Sequence, residues 1–460
     1  LIALGFCVLV MLLSCAGEQK TETRASAGRG KWRLLVLNPG HYHAALVQKT
    51  MYDEVDPAVR VYAPDGPEVQ EYLGRIEGFN NRPESPTAWQ EEVYVGDDYL
   101  QRMLADKGGD VVVLSGNNQK KTDYIMAAVD AGLNVYADKP MCIDPAGFRT
   151  LERAFAVAEK KGSLLYDIMT ERYNVLRMLQ KRLVLDRDVF GYLETGSPED
   201  PAVISESVHH FFKYVSGKPI RRPTWYFDTT QQGGGPVDVT THLIDLVMWT
   251  CFPATPLDYR RDVAVLNARH WPTMITREQY EKVTGAAEFP DFLQGRLNDQ
   301  GVLPYFCNGE MVYTLEDVHV RVAVAWNYEA PAGAGDAHYS LFRGSRAHVI
   351  IRQGEAENYR PQLYVEPAPG ANPDQLRGSL RKALLSVEAD YPGLSLEPSR
   401  YGWRISVPQE HFTGHEAHFR SVTEQYLDYL ADGKLPQWEI DFMKAKYFIT
   451  TRALELARQE

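Results

Sequence analysis

Between residues 32 and 162, short unbroken apolar runs alternate with segments whose apolar residues recur at helical spacing. The first run, 32–37 (WRLLVL), leads into Asn38-Pro39-Gly40 and then Ala44, Ala45, Val47 and Met51, which predict a helix. The run 58–63 (AVRVYA) is closed by a Pro64-Asp65-Gly66 turn. Residues 110–114 (DVVVL) end at Ser115-Gly116-Asn117, and 122–132 (TDYIMAAVDAG) is a helical pattern stopped by Gly132. The run 133–137 (LNVYA) ends at Asp138-Lys139-Pro140, and the helical pattern over 146–162 closes at Gly162. Strands alternating with helices in this way predict a doubly wound parallel sheet, whose ligands bind at the carboxyl ends of the strands. After about residue 165 the texture changes to alternating apolar segments, as in AVISESV (202–208), VHVRVAVAW (318–326) and AHVIIRQG (347–354), between long Pro/Gly-rich loops. The fold class expected is therefore α/β: a Rossmann-type parallel sheet over 31–165, then an α+β domain over 166–460 with a largely antiparallel open sheet and closing helices at 414–431 and 440–459.

Residues 1–30 stand apart. An apolar run reaches Leu12-Leu13-Ser14-Cys15, and 16–30 (AGEQKTETRASAGRG) is polar and patternless. The run is short for a spanning helix and suits a signal h-region. Its end resembles a bacterial lipobox, so Cys15 is the expected lipidation site and 16–30 a tether; an ordinary signal peptide with an incidental cysteine is the alternative. On the first reading the protein is exported and held to the membrane by lipid alone, facing the periplasm or the cell surface. The composition, 44% hydrophobic and 24% charged, is that of a globular protein. A net charge of −12 argues against nucleic acid as a partner, which needs a basic face. Cys142, Cys251 and Cys307 are widely spaced and form no C-x-x-C, so neither a disulfide framework nor a zinc site is indicated by them.

The chemistry gathers at the predicted strand ends. LNPGHYHAAL keeps one glycine, Gly40, of the G-x-G-x-x-G dinucleotide fingerprint. Asn38 and His41 are candidates to touch a phosphate there, whereas His43 reads equally well as a polar turn residue. Asp65 follows the second run, where a carboxylate can take a ribose hydroxyl or simply belong to its turn. In QQGGGPVDVTTHLIDL (231–246), Asp238 and His242 are four apart and Asp245 three further on, so a helix would place them on one side. A histidine beside a carboxylate suits proton transfer, and the three glycines would let a ligand approach the backbone. His411, His415 and His418 with Glu416 have metal-like spacing. Thr413-x-x-Glu416 also reads as a capping box, so no metal is expected. His209 and His210 end a strand pattern and point to opposite faces; His209 is taken as the one lining the cleft. Trp225 and Tyr226 are candidates for an aromatic face against a sugar ring, or core residues.

The order of these motifs, a nucleotide-binding fold, a strand ending in Asp138-Lys139-Pro140, then G-G-G-x-x-D-x-x-x-H, resembles the glucose–fructose oxidoreductase / inositol dehydrogenase (Gfo/Idh/MocA) family over 31–460. The form WYFDTTQQGGGPVDVTTH resembles its lipoprotein-type subgroup. The resemblance implies NAD as cofactor, with NADP possible, held by Asn38, Gly40, His41, Asp65, Ser115, Gly116, Asn117, Asp138 and Lys139. It implies Lys139, Asp238 and His242 as catalytic residues, and Arg172-Tyr173 at the turn after the next strand as substrate contacts beside His209, Trp225, Tyr226 and Asp238. The degraded glycine loop, and Lys120 where a histidine is common, depart from the pattern. The expected reaction interconverts a secondary hydroxyl and a ketone on a small carbohydrate: a sugar, a cyclitol or a glycoside. The alternatives are an NAD-recycling glycosidase that oxidises C3 transiently, and a non-catalytic sugar-binding lipoprotein. The open C-terminal sheet offers a face for a homo-oligomer.

Overall fold

The computed structural model describes residues 30–215 and 218–459. The N-terminal sheet has six strands in the order β3-β2-β1-β4-β5-β6, all parallel. These are β1 (Leu34–Leu37), β2 (Ala58–Ala63), β3 (Gln90–Val95), β4 (Val111–Leu114), β5 (Asn134–Asp138) and β6 (Leu165–Ile168). The central strands are short and apolar because both faces are covered; every residue of β1 and β4 is buried. β1 is flanked by β2 on one side and β4 on the other, so the chain reverses direction across the sheet there. That is where such sheets open a ligand crevice.

Helices α1 (His43–Leu46), α2 (Pro67–Asn81), α3 (Tyr99–Asp106), α4 (Lys121–Asp130) and α5 (Pro145–Lys161) connect the strands. α5 follows its sequence signals closely. Asp144 caps its start by accepting the Gly147 N–H at 2.7 Å, and Gly162 ends it in the left-handed conformation, φ 71°. α1 is far shorter than its pattern suggests. After one turn Gln48 and Lys49 donate to the carbonyls three residues back, Ala45 and Leu46. The Gln48 side chain is fully buried between the Tyr72 hydroxyl and Glu91, which pins the chain out of helix.

The second sheet has nine strands, in the order Val263–Ile275, Leu303–Leu315, Val318–Glu329, Val203–Phe212, Ala337–Arg343, Ala347–Gln353, Gln362–Pro367, Trp403–Ser406 and Ser395–Pro398. One pair, Val318–Glu329 with Val203–Phe212, is parallel, and the other pairs are antiparallel. The closing helices do more than cap this sheet. The helix His415–Asp432 lies on the parallel sheet: the Tyr426 ring stacks on Tyr136 at 4.6 Å and on Tyr166 at 5.7 Å, and its hydroxyl donates to the Val135 carbonyl at 3.2 Å. The helix Gln437–Ala457 packs between α5 and the strand Val263–Ile275. Among the described residues, no helix is long and apolar enough to cross a membrane. Cys142, Cys251 and Cys307 are free thiols, and Cys15 lies outside the described residues.

Candidate active site

Three loops meet at the carboxyl ends of β1, β4 and β5. Asn38 takes a left-handed conformation, φ 48°, at the end of β1. The amides of Gly40 and His41 then donate to the Ser115 carbonyl at 3.1 and 3.2 Å, tying the first loop to the second. The contact is close because Gly116 has no side chain: a Cβ there would lie 2.4 Å from the Asn38 carbonyl oxygen. Gly40 is different, since a Cβ there meets nothing nearer than 3.5 Å. The one fingerprint glycine is thus not required by the protein's own packing: a Cβ there would make ordinary contacts with Gly116, Asn117 and Glu68. Asp65 is exposed just beyond β2, and the Asn117 side-chain amide donates to Gln231 Oε1 at 2.7 Å.

Asp138, at the end of β5, is buried and gathers three partners. Its Oδ2 accepts from His43 Nδ1 at 2.9 Å and from Ser115 Oγ at 3.0 Å, and His41 Nδ1 stands 3.5 Å away. Burial holds the His43 imidazole neutral, its pKa pushed down to about 3. Burial works against ionisation of Asp138, but His43 with His41 beside it outweighs that and keeps the carboxyl well below its usual range. His43, ambiguous in the sequence, is therefore the residue that orients Asp138. Lys121, which nothing in the sequence singled out, is also buried and donates to the Asp138 carbonyl at 2.9 Å. Burial brings its pKa down to about 8.

Lys139 follows, joined to Pro140 by a cis peptide bond, and its Nζ donates to Asp238 Oδ1 at 2.8 Å. The side chains are 12% and 11% exposed, so the pair is shielded yet reachable. Burial raises the pKa of Asp238, but the Lys139 ammonium overrides it and keeps the carboxylate ionised. The Tyr226 hydroxyl donates to its other oxygen at 3.4 Å. His242 sits on the helix Thr240–Cys251, and its Nδ1 is buried with no hydrogen-bond partner. Burial, with Lys139 nearby, holds this imidazole neutral, well below the usual histidine range.

His242 lines a cavity of about 250 Å³ together with Glu171, Arg177, His209, Asp336 and His338. His209 accepts or donates to Ser207 Oγ at 2.6 Å, lies 3.4 Å from Asp336 and stacks on Trp326. Asp336 also accepts from His210 at 3.0 Å and Lys213 at 2.5 Å. Asp336 and His338, at the start of one strand, are far in sequence from Arg177, and none stands in a motif, so only packing brings the three to the cavity.

Several expectations need correction. Asp238 precedes the helix, with φ −93° and ψ −95°, and is paired to Lys139 rather than orienting His242. Asp245 faces away from this site, bonded to Arg172 and Lys446. Arg172, expected as a substrate contact, is engaged within the protein. Its guanidinium is consumed by Asp245 at 2.6 and 2.7 Å and by Glu439 at 2.8 and 2.9 Å, at 7% side-chain exposure. Tyr173 beside it is half-buried against the core. Trp225 and Tyr226 present no open aromatic face, because both are buried and Tyr226 packs among Phe211, Tyr305 and Trp326. The glycine run is there for packing, not for ligand access: a Cβ on Gly234 would lie 2.8 Å from the Phe306 carbonyl oxygen, and one on Gly235 2.2 Å from the Asn308 backbone. The Thr413 capping box is absent; the helix begins after Gly414 with no side-chain cap, and Glu416 pairs with Lys49.

Comparison with known proteins agrees with this architecture. Residues 40–166 match the family described as "Oxidoreductase family, NAD-binding Rossmann fold", and residues 179–458 match "Putative oxidoreductase C terminal domain". A solved structure of a "putative oxidoreductase" from Parabacteroides merdae ATCC 43184 is 49% identical, with a TM-score of 0.91 over 94% of this chain and 98% of that one. Levoglucosan dehydrogenase in complex with NADH and levoglucosan superposes with a TM-score of 0.58 at 12% identity, over 93% of this chain and 98% of that one. A "putative oxidoreductase" from Thermotoga maritima does so equally, with a TM-score of 0.58 at 12% identity over 93% and 98%. At these last two identities the likeness is one of fold. No protein of curated function matches the chain. Matched over both of its sheets, the chain belongs to the Gfo/Idh/MocA family of NAD(P)-binding oxidoreductases, with the oxidoreductase C-terminal domain of one of its branches.

Proposed function

We propose that this oxidoreductase interconverts a secondary hydroxyl and a ketone on a small carbohydrate, a sugar, cyclitol or glycoside, with Lys139 and His242 acting on the reacting oxygen. One observation carries the reading. The Lys139 ammonium is held 2.8 Å from Asp238, and near it His242, whose Nδ1 has no partner, lines a small cavity that has one polar wall. A cation beside the oxygen stabilises a developing alkoxide, and a neutral imidazole is free to take the proton. Asp238 keeps the ammonium in place. The cavity's volume, near the lower end for ligand sites, suits a single ring. Its polar wall of His209, Asp336, Arg177 and His338 suits hydroxyl groups. Levoglucosan dehydrogenase, bound to an anhydrosugar, shares the fold.

The loops at Asn38–His41, Asp65 and Ser115–Asn117 fit a dinucleotide, since they gather at the strand ends, a Cβ on Gly40 would meet only ordinary contacts, and Gly116 lets the loops close on one another. When bound, the nicotinamide cofactor supplies the hydride acceptor or donor.

The test is single-turnover conversion of bound NAD or NADP by a panel of sugars, cyclitols and glycosides. We expect Lys139→Met and His242→Asn each to slow it about 10²-fold or more, with cofactor affinity little changed in His242→Asn. A near-normal rate in His242→Asn would remove its role as base. Cleavage of a glycoside without net NADH would move the reading to the NAD-recycling glycosidase.

We further propose that the protein works outside the cytoplasm, anchored through lipid on Cys15. The support is the Leu12-Leu13-Ser14-Cys15 segment and the polar tether behind it. Mass spectrometry of the N-terminal peptide from native membranes should find Cys15 first and acylated; an unmodified peptide starting elsewhere rules the anchor out.

A further inference from the structure

Next to the cavity, His415 and His418 lie three apart on one face of the helix His415–Asp432, opposite Glu171 of the turn after β6. One ligand-capable atom from each of Glu171, His415 and His418 falls within 4.8 Å of the others. His418 is 5% exposed, and its Nδ1 is buried with no hydrogen-bond partner. His415 Nδ1 stands 4.0 Å from Glu171 Oε1, too far for a hydrogen bond.

The proton positions follow from the neighbours. His43 Nδ1 faces the ionised Asp138 at 2.9 Å and must donate to it. That leaves His43 Nε2 as an acceptor. His415 Nε2 lies 3.4 Å from it and therefore donates. His415 Nδ1 is left with a bare lone pair, pointed toward a carboxylate and a buried, unpaired imidazole. A lone pair on His415 Nδ1 facing a carboxylate repels it unless a proton or a metal cation lies between them.

We propose that Glu171, His415 and His418 bind a divalent metal ion of the zinc class, with the Asp138–His43 pair orienting His415 through its other nitrogen. The donor set, two imidazoles and one carboxylate, is of the kind zinc takes, and three protein ligands leave a position for water or a substrate oxygen. The hydrogen-bonded chain behind His415 is the support that metal-bound histidines usually have. In tetrahedral zinc coordination, ligand atoms about 2.1 Å from the ion lie ~3.4 Å apart. The 4.0 Å between His415 and Glu171 closes to that by small rotations, and neither side chain is packed on every side: they are 38% and 35% exposed. Glu171 also lines the cavity that His242 borders, so the ion stands at the cavity wall. The sequence pattern argued against a metal because it contained only the helix. Glu171, in the turn after β6, and His43, at the start of α1, are remote in the chain.

The test uses the full chain, stripped with chelator and titrated with Co²⁺ by visible absorption and with Zn²⁺ against a chromophoric indicator. One equivalent should bind tightly. Glu171→Gln and His418→Asn should each abolish it. His43→Asn should keep the stoichiometry but weaken binding about 10–100-fold. His41→Asn should leave it unchanged, which separates this site from the nearby His41–His43–Asp138 cluster. Absence of a tight equivalent in the wild type, or its survival in both Glu171→Gln and His418→Asn, overturns the proposal. Circular dichroism confirms that each variant is folded. The readout is metal binding, so it stands whether or not a carbohydrate substrate is found.

Discussion

Gly116 and Gly40 sit on neighbouring loops and differ only in what surrounds them. A methyl group on Gly116 would enter the Asn38 carbonyl and lie 2.9 Å from the Gly40 amide nitrogen. Backbone cannot yield as a side chain can, so we expect Gly116→Ala to destabilise the protein by about 1–3 kcal/mol and to weaken NAD binding. Gly40→Ala should leave stability within about 0.5 kcal/mol and act on the cofactor alone. Chemical denaturation together with NADH fluorescence titration separates the two effects. If Gly40→Ala destabilises as much as Gly116→Ala, Gly40 serves packing and not a ligand. The sequence marked both glycines, but it could not show which one the fold requires, because that depends on where Asn38 lies.

Among elements, the link between the turn after β6, the helix Thr240–Cys251 and the helix Gln437–Ala457 is made by charge. Arg172 bridges Asp245 and Glu439, and Lys446 bridges Asp167 and Asp245 at 2.7 and 2.9 Å, with Lys446 fully buried. Such a network holds only while it is complete, since each lost partner leaves a charge in low dielectric. We expect Lys446→Met to cost about 3–5 kcal/mol in urea denaturation while leaving nucleotide affinity in the surviving folded protein unchanged. A loss below 1 kcal/mol would mean that water or relaxation replaces the lysine. In the sequence this arginine looked like a substrate contact; its partners lie in segments no local pattern connects to it. β3 escaped the sequence reading for a different reason. It is the sheet edge, with no fully buried residue along it, so QEEVYV carries no apolar run.

At the scale of the whole molecule, acid sensitivity follows from buried neutral histidines. Burial, helped by the facing Arg177 guanidinium and by His209, holds His338 well below 6.5. Its folded pKa is depressed, so the unfolded chain takes up a proton that the folded protein refuses. Stability from this group is full above pH 6.5 and falls as pH drops below it, by about 1.4 kcal/mol per pH unit. Asp245, whose carboxyl is kept low by Arg172 and Lys446 against burial, adds a loss below about pH 4. Melting temperatures between pH 8 and 5 should therefore decline, and His338→Gln should flatten the decline. An unchanged slope in the variant would mean that His338 is protonated in the folded state.

What the sequence determined by itself was what local rules carry. Apolar runs ending in Gly, Pro and Asn turns set the parallel sheet, period-two alternation set the second sheet, and Asp138-Lys139-Pro140 marked the strand end where the chemistry lies. The tertiary structure decided the partners. Asp238 went to Lys139 and left His242 bare, because the helix starts two residues later than the four-residue spacing assumed. His43, Glu171 and His415 came together because the C-terminal helix lies on the N-terminal sheet. Spacing along a chain orders residues within one element, whereas electrostatic partners are chosen by the packing of elements far apart in sequence.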